Sequence, residues 1–381
     1  MKPFKVYGTN IEQEALDQFH DTMAQDYVVK GACMPDAHKG YTLNIGGVVA
    51  CKGVIVPSYV GYDIGCGMCA IPTGFNVEDI RTNKEAILNQ LYRDIPTGFS
   101  RRQYPAFEIM DMVNVPCTEF LNKLIVSTEA PTQLGTMGGN NHFIEIGYST
   151  EDEEVWIITH SGSRNLGKMV ASHYMALASN TEREKEGHFP LDVNSQDGKD
   201  YIIDLSYCLE FALLNRRLII EQTYQAINHV LFQSRFRDHG LNSLVNRNHN
   251  HAELKDGLWI HRKGATHADL GMLGVIPGNM RDGSFIVRGL GNPESLCSSS
   301  HGAGRVRGRS AAHREVSLED FQNQMKDSEC RVVIAESTLE EAPDNYKNIF
   351  EVMELQKDLV EVVSHIKPLV TIKAKKTGKR F

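Results

Sequence analysis

The chain has 381 residues, 41% hydrophobic and 23% charged, the balance of a globular protein long enough to bury a large core in one big domain or two ordinary ones. A formal net charge of −8 excludes a surface that coats nucleic acid throughout, while leaving room for a basic cleft in an acidic shell. No apolar run approaches the roughly 20 residues a bilayer requires, and the opening MKPFKVYGTNIEQEALDQF has neither an apolar core nor a small-residue cleavage site, so neither a membrane span nor secretion is expected.

Residues 28 to 75 alternate β-rich runs with glycines (IGGVVACKGVIVP, then YVGYDIGCGMCAIP), a pattern that predicts strands and tight turns. Helix-compatible apolar spacing follows over 78–93 and 116–127. NHFIEIGY and EVWIITH read as strands joined by the acidic turn EDEE, and RNLGKMVASHYMALAS reads as helix. The longest helical signal covers roughly 204 to 235, where Leu205, Leu209, Leu213, Ile220, Tyr224 and Ile227 recur at three- and four-residue steps. Short strands and glycine turns fill 240–315, and 344–366 is expected to form a final long helix. No Pro/Ser-rich linker, low-complexity stretch or internal repeat divides the chain. Strands at both ends enclosing a helical insertion at about 164–237 favour one α+β domain over 1–381, closed by a short basic tail.

Histidine, cysteine and aspartate recur in glycine-rich surroundings at five places: Met34–Gly40 (MPDAHKG), Val60–Met68 (VGYDIGCGM), Leu134–Glu145 (LGTMGGNNHFIE), His160–Arg164 (HSGSR) and Ser298–Arg305 (SSSHGAGR). NRNHNH at 246–251 adds two more histidines. Imidazole, thiolate and carboxylate are the ligand set of Zn, Mn, Fe or Co. A single histidine is more often structural, but Asp63 and Cys66 place two anionic ligands one turn apart in a glycine-rich bend. Cys66-Gly-Met-Cys69 is also a CxxC; no second CxxC completes a structural zinc centre, and a buried thiol is the expected fate of Cys69. The remaining cysteines lack a paired rhythm, which suits reduced thiols in a cytoplasm, the expected compartment. The runs Arg101–Arg102, Arg305/Arg307/Arg309 and Lys373 to Arg380 are basic, yet such runs are more often solvated faces than binding sites.

SSSHGAGR combines small residues, whose backbone N–H groups can approach an anion, with Arg305 for a bidentate phosphate contact. An imidazole there can attack phosphorus and form a phosphoramidate. From composition and spacing, His301 is equally a nucleophile, a metal ligand or a structural hydrogen-bonder.

Together, VGYDIGCGM, GGNNHFIEI, HSGSRNLG, HRKGAT and SSSHGAGR, in that order, resemble the RtcB family of RNA ligases, and the resemblance runs through nearly the whole chain. It implies an α+β single domain with a central β-sandwich-like pair of sheets flanked by helices. It also implies joining of RNA 3′-phosphate or 2′,3′-cyclic phosphate ends to 5′-hydroxyl ends, with GTP and two Mn²⁺ ions per chain. Carried onto this sequence, it makes His301 the guanylylated nucleophile and Asp63, Cys66, His142, His160 and His249 the metal ligands, Cys66 bridging. Asn141, Glu145, Ser284, Tyr346 and Lys373 are then expected to hold the guanine nucleotide with His301, Gly302, Ala303 and Gly304. His249 is preferred to His251 because the family's ligand directly precedes an asparagine, here Asn250.

The resemblance further implies broken transfer or ribosomal RNA as partner, a monomer, and room for an archease-like activator. Departures from the family pattern are HKGYTLNIGG after Asp36, Asn279 in place of a common serine, and Ala374 with a basic tail after Lys373. The chain is also short for the family, which favours repair of cleaved RNA over splicing. Two other readings compete. A metal-dependent cyclic phosphodiesterase or phosphoesterase without ligation would not need His301, Glu145 or Lys373, and all are present. A non-catalytic RNA-binding protein on the same scaffold would have lost metal ligands, and none is missing.

Overall fold

A computed structural model describes residues 2–105, 113–233 and 243–374. The basic tail past Ala374, and the end of the expected 204–235 helix past Gln233, lie outside them.

The chain runs β1 (Phe4–Val6), α1 (Gln13–Ala24), β2 (Val28–His38), β3 (Ile45–Cys51), β4 (Val54–Ile55), α2 (Pro57–Val60), β5 (Gly67–Pro72) and α3 (Val77–Asp94). Next come α4 (Glu119–Ser127), β6 (Phe143–Ser149), β7 (Val155–Ser161), α5 (Arg164–Ser179), β8 (Leu191–Asp192) and α6 (Gln196–Phe232). The last third holds β9 (Val245–Asn248), β10 (Asn250–Lys255), β11 (Leu258–Lys263), β12 (Ala265–His267), β13 (Leu273–Pro277), β14 (Ser284–Gly289) and β15 (Ser298–Ser300). It closes with α7 (Arg309–Glu315), α8 (Leu318–Met325), α9 (Ile349–Glu354) and β16 (Val360–Lys373).

Two sheets face each other, one ordered β1-β2-β3-β11-β10 and the other β13-β14-β16-β6-β7-β5-β9. Their shared core joins Met34, Val48, Ala50 and Ile260 of the first to Ile276, Phe285, Val287 and Val360 of the second. The outer face of the first sheet is covered by α1 through Phe19 and Met23. The outer face of the second packs Ile71, Ile144, Ile157 and Ile372 against Ile80, Ile87 and Leu91 of α3 and Ile219, Ile220 and Ile227 of α6. This is the α+β pair of sheets flanked by helices. Among the described residues no helix is long and apolar enough to cross a membrane.

Local chemistry accounts for most elements. Asn76 caps α3 by accepting from the N–H groups of Glu78 (2.9 Å) and Asp79 (3.3 Å), two acids that also suit a helix N-terminus. Ser195 caps α6, which at 37 residues spans both the sheet and a helical cluster with α4 and α5.

The expected helix over 344–366 does not form. Only α9 is helical there, and the chain then enters β16, a 14-residue strand between β14 and β6. The apolar spacing fits a helix, but Val360, Val362, Val363, Ile366, Val370 and Thr371 are β-branched, and the strand pairs with β14 through Val360 and Val362, with β6 through Val370 and Thr371, and with both through Ile366. Pro368, which has no N–H to give the ladder, sits where the register shifts between Pro368 and Val370. Helices α1, α7 and α8 are not among those the periodicity predicts.

Candidate active site

Antiparallel pairing brings one end of β16, β6, β7, β5 and β9 to a common edge. Cys66 precedes β5, His142 precedes β6, His160 is next to last in β7, His249 follows β9 and Lys373 ends β16. The register locks them together: Phe143 opposes both His160 and Lys373, and Gly67 opposes Asn248. Strand alternation then turns Phe143 and Glu145 away from Ile144 and Ile146, which belong to the core against α3. His301 arrives from the other side, directly after β15 in a two-stranded sheet with β12. The serines of SSSHGAGR are thus a strand.

Two groups of ligand atoms form, Cys66/His160/His249 and Asp63/Cys66/His142, each with its atoms within 4.8 Å of one another. Cys66 belongs to both. Its Sγ lies 3.1 Å from His160 Nε2 and 3.4 Å from His142 Nε2. His142 Nε2 is 3.0 Å from Asp63 Oδ2, and His160 Nε2 is 3.2 Å from His249 Nε2. The other ring nitrogens settle the tautomers. His142 Nδ1 faces the carbonyl of Met137 at 3.0 Å and His160 Nδ1 that of Asn141 at 3.2 Å, and a carbonyl can only accept. Both Nδ1 atoms therefore carry hydrogen, and both Nε2 atoms face the Cys66 sulfur, that of His142 also facing Asp63. Donor atoms converging in this way, with two of the imidazoles fixed from behind by backbone carbonyls, suit divalent cations.

The electrostatics agree. Burial, then the nearby Asp63, pushes the Cys66 thiol well above its ordinary range, and burial drives His160 and His249 well below theirs. A bare thiolate is costly in this site, and a cation is what offsets the cost. For Asp63, burial pushes upward but the hydrogen bond and charge of His142 hold it below the ordinary carboxylate range.

His301 has a different environment. Its Nδ1 is 2.6 Å from Oδ2 of the fully buried Asp36, and its backbone N–H donates to the same oxygen at 3.2 Å. That oxygen is an acceptor, so Nδ1 carries the proton and Nε2 keeps its lone pair. The His301 ring lies 4.8 Å from that of His249, centroid to centroid. The turn after His301 needs Gly304 (φ +75°), where a Cβ would lie 2.2 Å from the Asp36 carbonyl.

A cleft of about 820 Å³ opens onto this site. Every expected site residue lines it except His142, which sits behind Asp63 and Cys66. Ser284 Oγ donates to Glu145 at 2.9 Å. Tyr346 OH donates to Glu341 at 2.8 Å, and Lys373 Nζ bonds Glu341 and, at 3.3 Å, the Asn141 carbonyl. Burial pushes Glu145 up to about 7, against the pull of Ser284 and Lys373.

Some features differ from expectation. Arg305 lines the cleft with its guanidinium already engaged: its Nη1 meets Tyr346 OH at 2.9 Å and Glu341 at 3.3 Å. His251 faces a separate, partly buried group with Glu253 and His267, where the Arg262 guanidinium already bonds both His251 and Glu253. The positive charge beside that cluster is the Arg262 side chain itself. Cys69 is a fully buried thiol, as expected.

Sequence reasoning missed Asp36 as the partner of His301, although MPDAHKG was singled out. It also missed Glu341 and the α6 pair Asn215–Arg216. Asn215 accepts from the N–H groups of Gly135 (2.8 Å) and Thr136 (3.2 Å) and donates to Gly162 O (3.1 Å). Arg216 donates to Gly65 O, Ser161 O, Asn246 Oδ1 and Asn248 Oδ1 at 2.6–2.9 Å.

The sequence model of the family described as "tRNA-splicing ligase RtcB" matches residues 18–119 and 122–374. The RNA-splicing ligase RtcB of Escherichia coli (strain K12) is 34% identical over 401 aligned residues, covering 97% of this chain and 97% of that protein. The chain belongs to the RtcB family. The tRNA-splicing ligases RtcB of Aeropyrum pernix (29% identical, 84% of this chain and 83% of that protein) and Thermococcus kodakarensis (26%, 93% and 92%) are more distant relatives. All five RtcB-like motifs of this sequence fall inside the matched span.

Proposed function

We propose that this RtcB-family chain is a GTP-dependent RNA ligase that joins RNA 3′-phosphate or 2′,3′-cyclic phosphate ends to 5′-hydroxyl ends through a histidine-GMP intermediate on His301. One observation carries the reading: the His301 imidazole has its Nδ1 proton committed to buried Asp36, which leaves Nε2 a nucleophile beside a ligand cluster built on Cys66. Nε2 forms a bond to the α-phosphorus of GTP as the bond to the β-phosphate oxygen breaks and pyrophosphate leaves. Asp36 stabilises the positive charge that develops on the ring, as a buried acid does behind a catalytic histidine. An oxygen of the RNA 3′-phosphate then displaces His301 and takes the GMP, and attack by the 5′-hydroxyl expels GMP and closes the phosphodiester.

Asp63, Cys66, His142, His160 and His249 would hold two Mn²⁺ ions, Cys66 contributing to both. When bound, the ions neutralise phosphate charge and orient the reacting groups. Glu145, held by Ser284, is the acceptor suited to the N–H edge of guanine, and Asn141, Tyr346 and Lys373 complete the nucleotide wall. The backbone of Gly302, Ala303 and Gly304 can approach the phosphates closely. The cellular task is repair of cleaved ribosomal or transfer RNA.

The test incubates wild type and His301→Ala with α-labelled GTP and Mn²⁺, then offers cleaved ribosomal RNA and tRNA halves. Wild type should carry alkali-stable, acid-labile label, as a phosphoramidate does, and the variant none, with cleaved ribosomal RNA joined at least as well as the halves. Equal labelling of the variant refutes the nucleophile, and a clear preference for tRNA halves refutes ribosomal repair.

A further inference from the structure

The cleft has a second wall, built from the other sheet. Gly264 sits against His301, where a Cβ would lie 3.1 Å from Cε1 of its ring. Lys263 precedes it, buried, with its Nζ bonded to Ser58 O at 3.2 Å and 6.0 Å from the centre of the Tyr41 ring. Tyr41 packs edge to face on Tyr62, with centroids 6.3 Å apart, and Tyr62 adjoins Asp63. A path of neighbouring groups thus leads from the nucleophile to an aromatic ring without touching Glu145, Ser284, Tyr346 or Lys373.

That ring is unusual in being both exposed and firmly held. Tyr41 is 74% exposed, while Thr42, Leu43 and Asn44 after it are buried. Gln18 of α1 clamps the turn from beneath: its Nε2 donates to the carbonyls of Gly40 (3.0 Å) and Tyr41 (3.1 Å), and its Oε1 accepts from Gly40 N–H (2.9 Å). Across Tyr41 from the catalytic cleft lies a recess of about 470 Å³, lined also by Gln18, Thr42, Glu186 and His188. The ring borders both spaces. A large aromatic left in water on a rigid turn, beside a reaction centre, has the form of a stacking surface, and unpaired bases of RNA ends are what such surfaces bind.

We propose that Tyr41 is the stacking platform for the terminal nucleobase of an RNA end, a subsite that rests on the ligase reading above. Gln18 is then a positioning residue that keeps the platform in place. Because each RNA end has a terminal base, the same chemistry serves either strand, and the experiment separates them.

Tyr41→Ala, Tyr41→Trp and Gln18→Ala are compared with wild type in two assays: labelling by α-labelled GTP alone, and ligation at varied RNA concentration. Three substrate pairs are used, intact, abasic at the 3′-phosphate terminal nucleotide, and abasic at the 5′-hydroxyl terminal nucleotide. Tyr41→Ala should raise the KM for RNA about 5- to 150-fold, the range expected for one base–aromatic stack. Tyr41→Trp should restore it, and Gln18→Ala should fall between. With one abasic substrate, wild type and Tyr41→Ala should become equal, and that substrate identifies the strand that stacks. Unchanged KM in Tyr41→Ala, a Trp variant no better than Ala, or the same loss on all three substrates overturns the platform. Wild type that takes no label from GTP overturns the ligase reading and the platform with it, whereas labelling with an unmoved KM overturns the platform alone.

Discussion

Replacing Arg216 by Met should weaken the fold and the metal cluster together. The guanidinium is fully buried and makes four hydrogen bonds, to Asn246 (2.7 Å), Gly65 (2.6 Å), Ser161 (2.9 Å) and Asn248 (2.6 Å). Three of these residues are immediate neighbours of Cys66, His160 and His249. Methionine matches the length but leaves two buried carbonyls and two partly buried amide oxygens without this donor. At about 1.5–3 kcal/mol for each bond to a charged donor, the gross loss is roughly 6–12 kcal/mol. Part of that is recovered, because wild type also bears the cost of burying the cation, visible in a pKa pushed down to about 10. A net destabilisation of about 3–5 kcal/mol is expected. Urea denaturation of metal-free protein measures it, and titration with Co²⁺, followed by thiolate charge-transfer absorption, reports the cluster. Displaced ligand loops should weaken Co²⁺ binding about 10- to 100-fold, as loss of an outer-shell partner does. A Met variant with both the wild-type urea midpoint and wild-type Co²⁺ affinity would refute this account of Arg216.

Two further perturbations test the site chemistry. Asp36→Asn keeps the shape but removes the charge behind His301, so single-turnover labelling from GTP should slow roughly 10³- to 10⁴-fold with the fold intact; a rate within tenfold of wild type would show that the pair does not set the nucleophile's tautomer. Glu145 titrates at about 7 in the folded chain against an ordinary 4.5, so between those values the native state holds a proton that the unfolded state has released. Its contribution to stability therefore declines as pH rises from about 4.5 to about 7 and is level above that. Urea midpoints at pH 5 and pH 8 should show wild type losing ground to Glu145→Gln by no more than roughly 3 kcal/mol, and a difference independent of pH would contradict it.

The sequence was most legible where structure is decided locally. The helix expected over 78–93 forms as Val77–Asp94, and the one read from RNLGKMVASHYMALAS spans those same residues, because caps and apolar stripes act over one or two turns. It failed over 344–366, where spacing fits a helix but the outcome depends on β14 and β6, which lie far away in sequence. The site shows the same division. Glycine-flanked motifs mark strand ends, so Asp63, Cys66, His142, His160, His249 and His301 could be picked out singly, while their convergence depends on the order β6-β7-β5-β9. Glu341 carries no local mark: it lies in ESTLEEAP and matters only because Arg305, Tyr346 and Lys373 turn towards it.

Arg216 was readable in principle. The apolar stripe of α6 steps through Leu205, Leu209, Leu213, Ile220, Tyr224 and Ile227, and the step between Leu213 and Ile220 falls on position 216. Periodicity alone therefore directs an arginine into the core. A cation there must be surrounded by acceptors, since an unpaired buried charge costs more than the helix can recover. Such acceptors are available at strand ends, in carbonyls with a lone pair left over from the ladder and in side-chain amides, and strand ends are also where functional groups gather. A charged residue on the buried face of a long helix is thus a pointer to the site from the side opposite the motifs. Here it leads to the carbonyls of Gly65 and Ser161 and the amide of Asn248, the neighbours of three ligands that the motifs found independently.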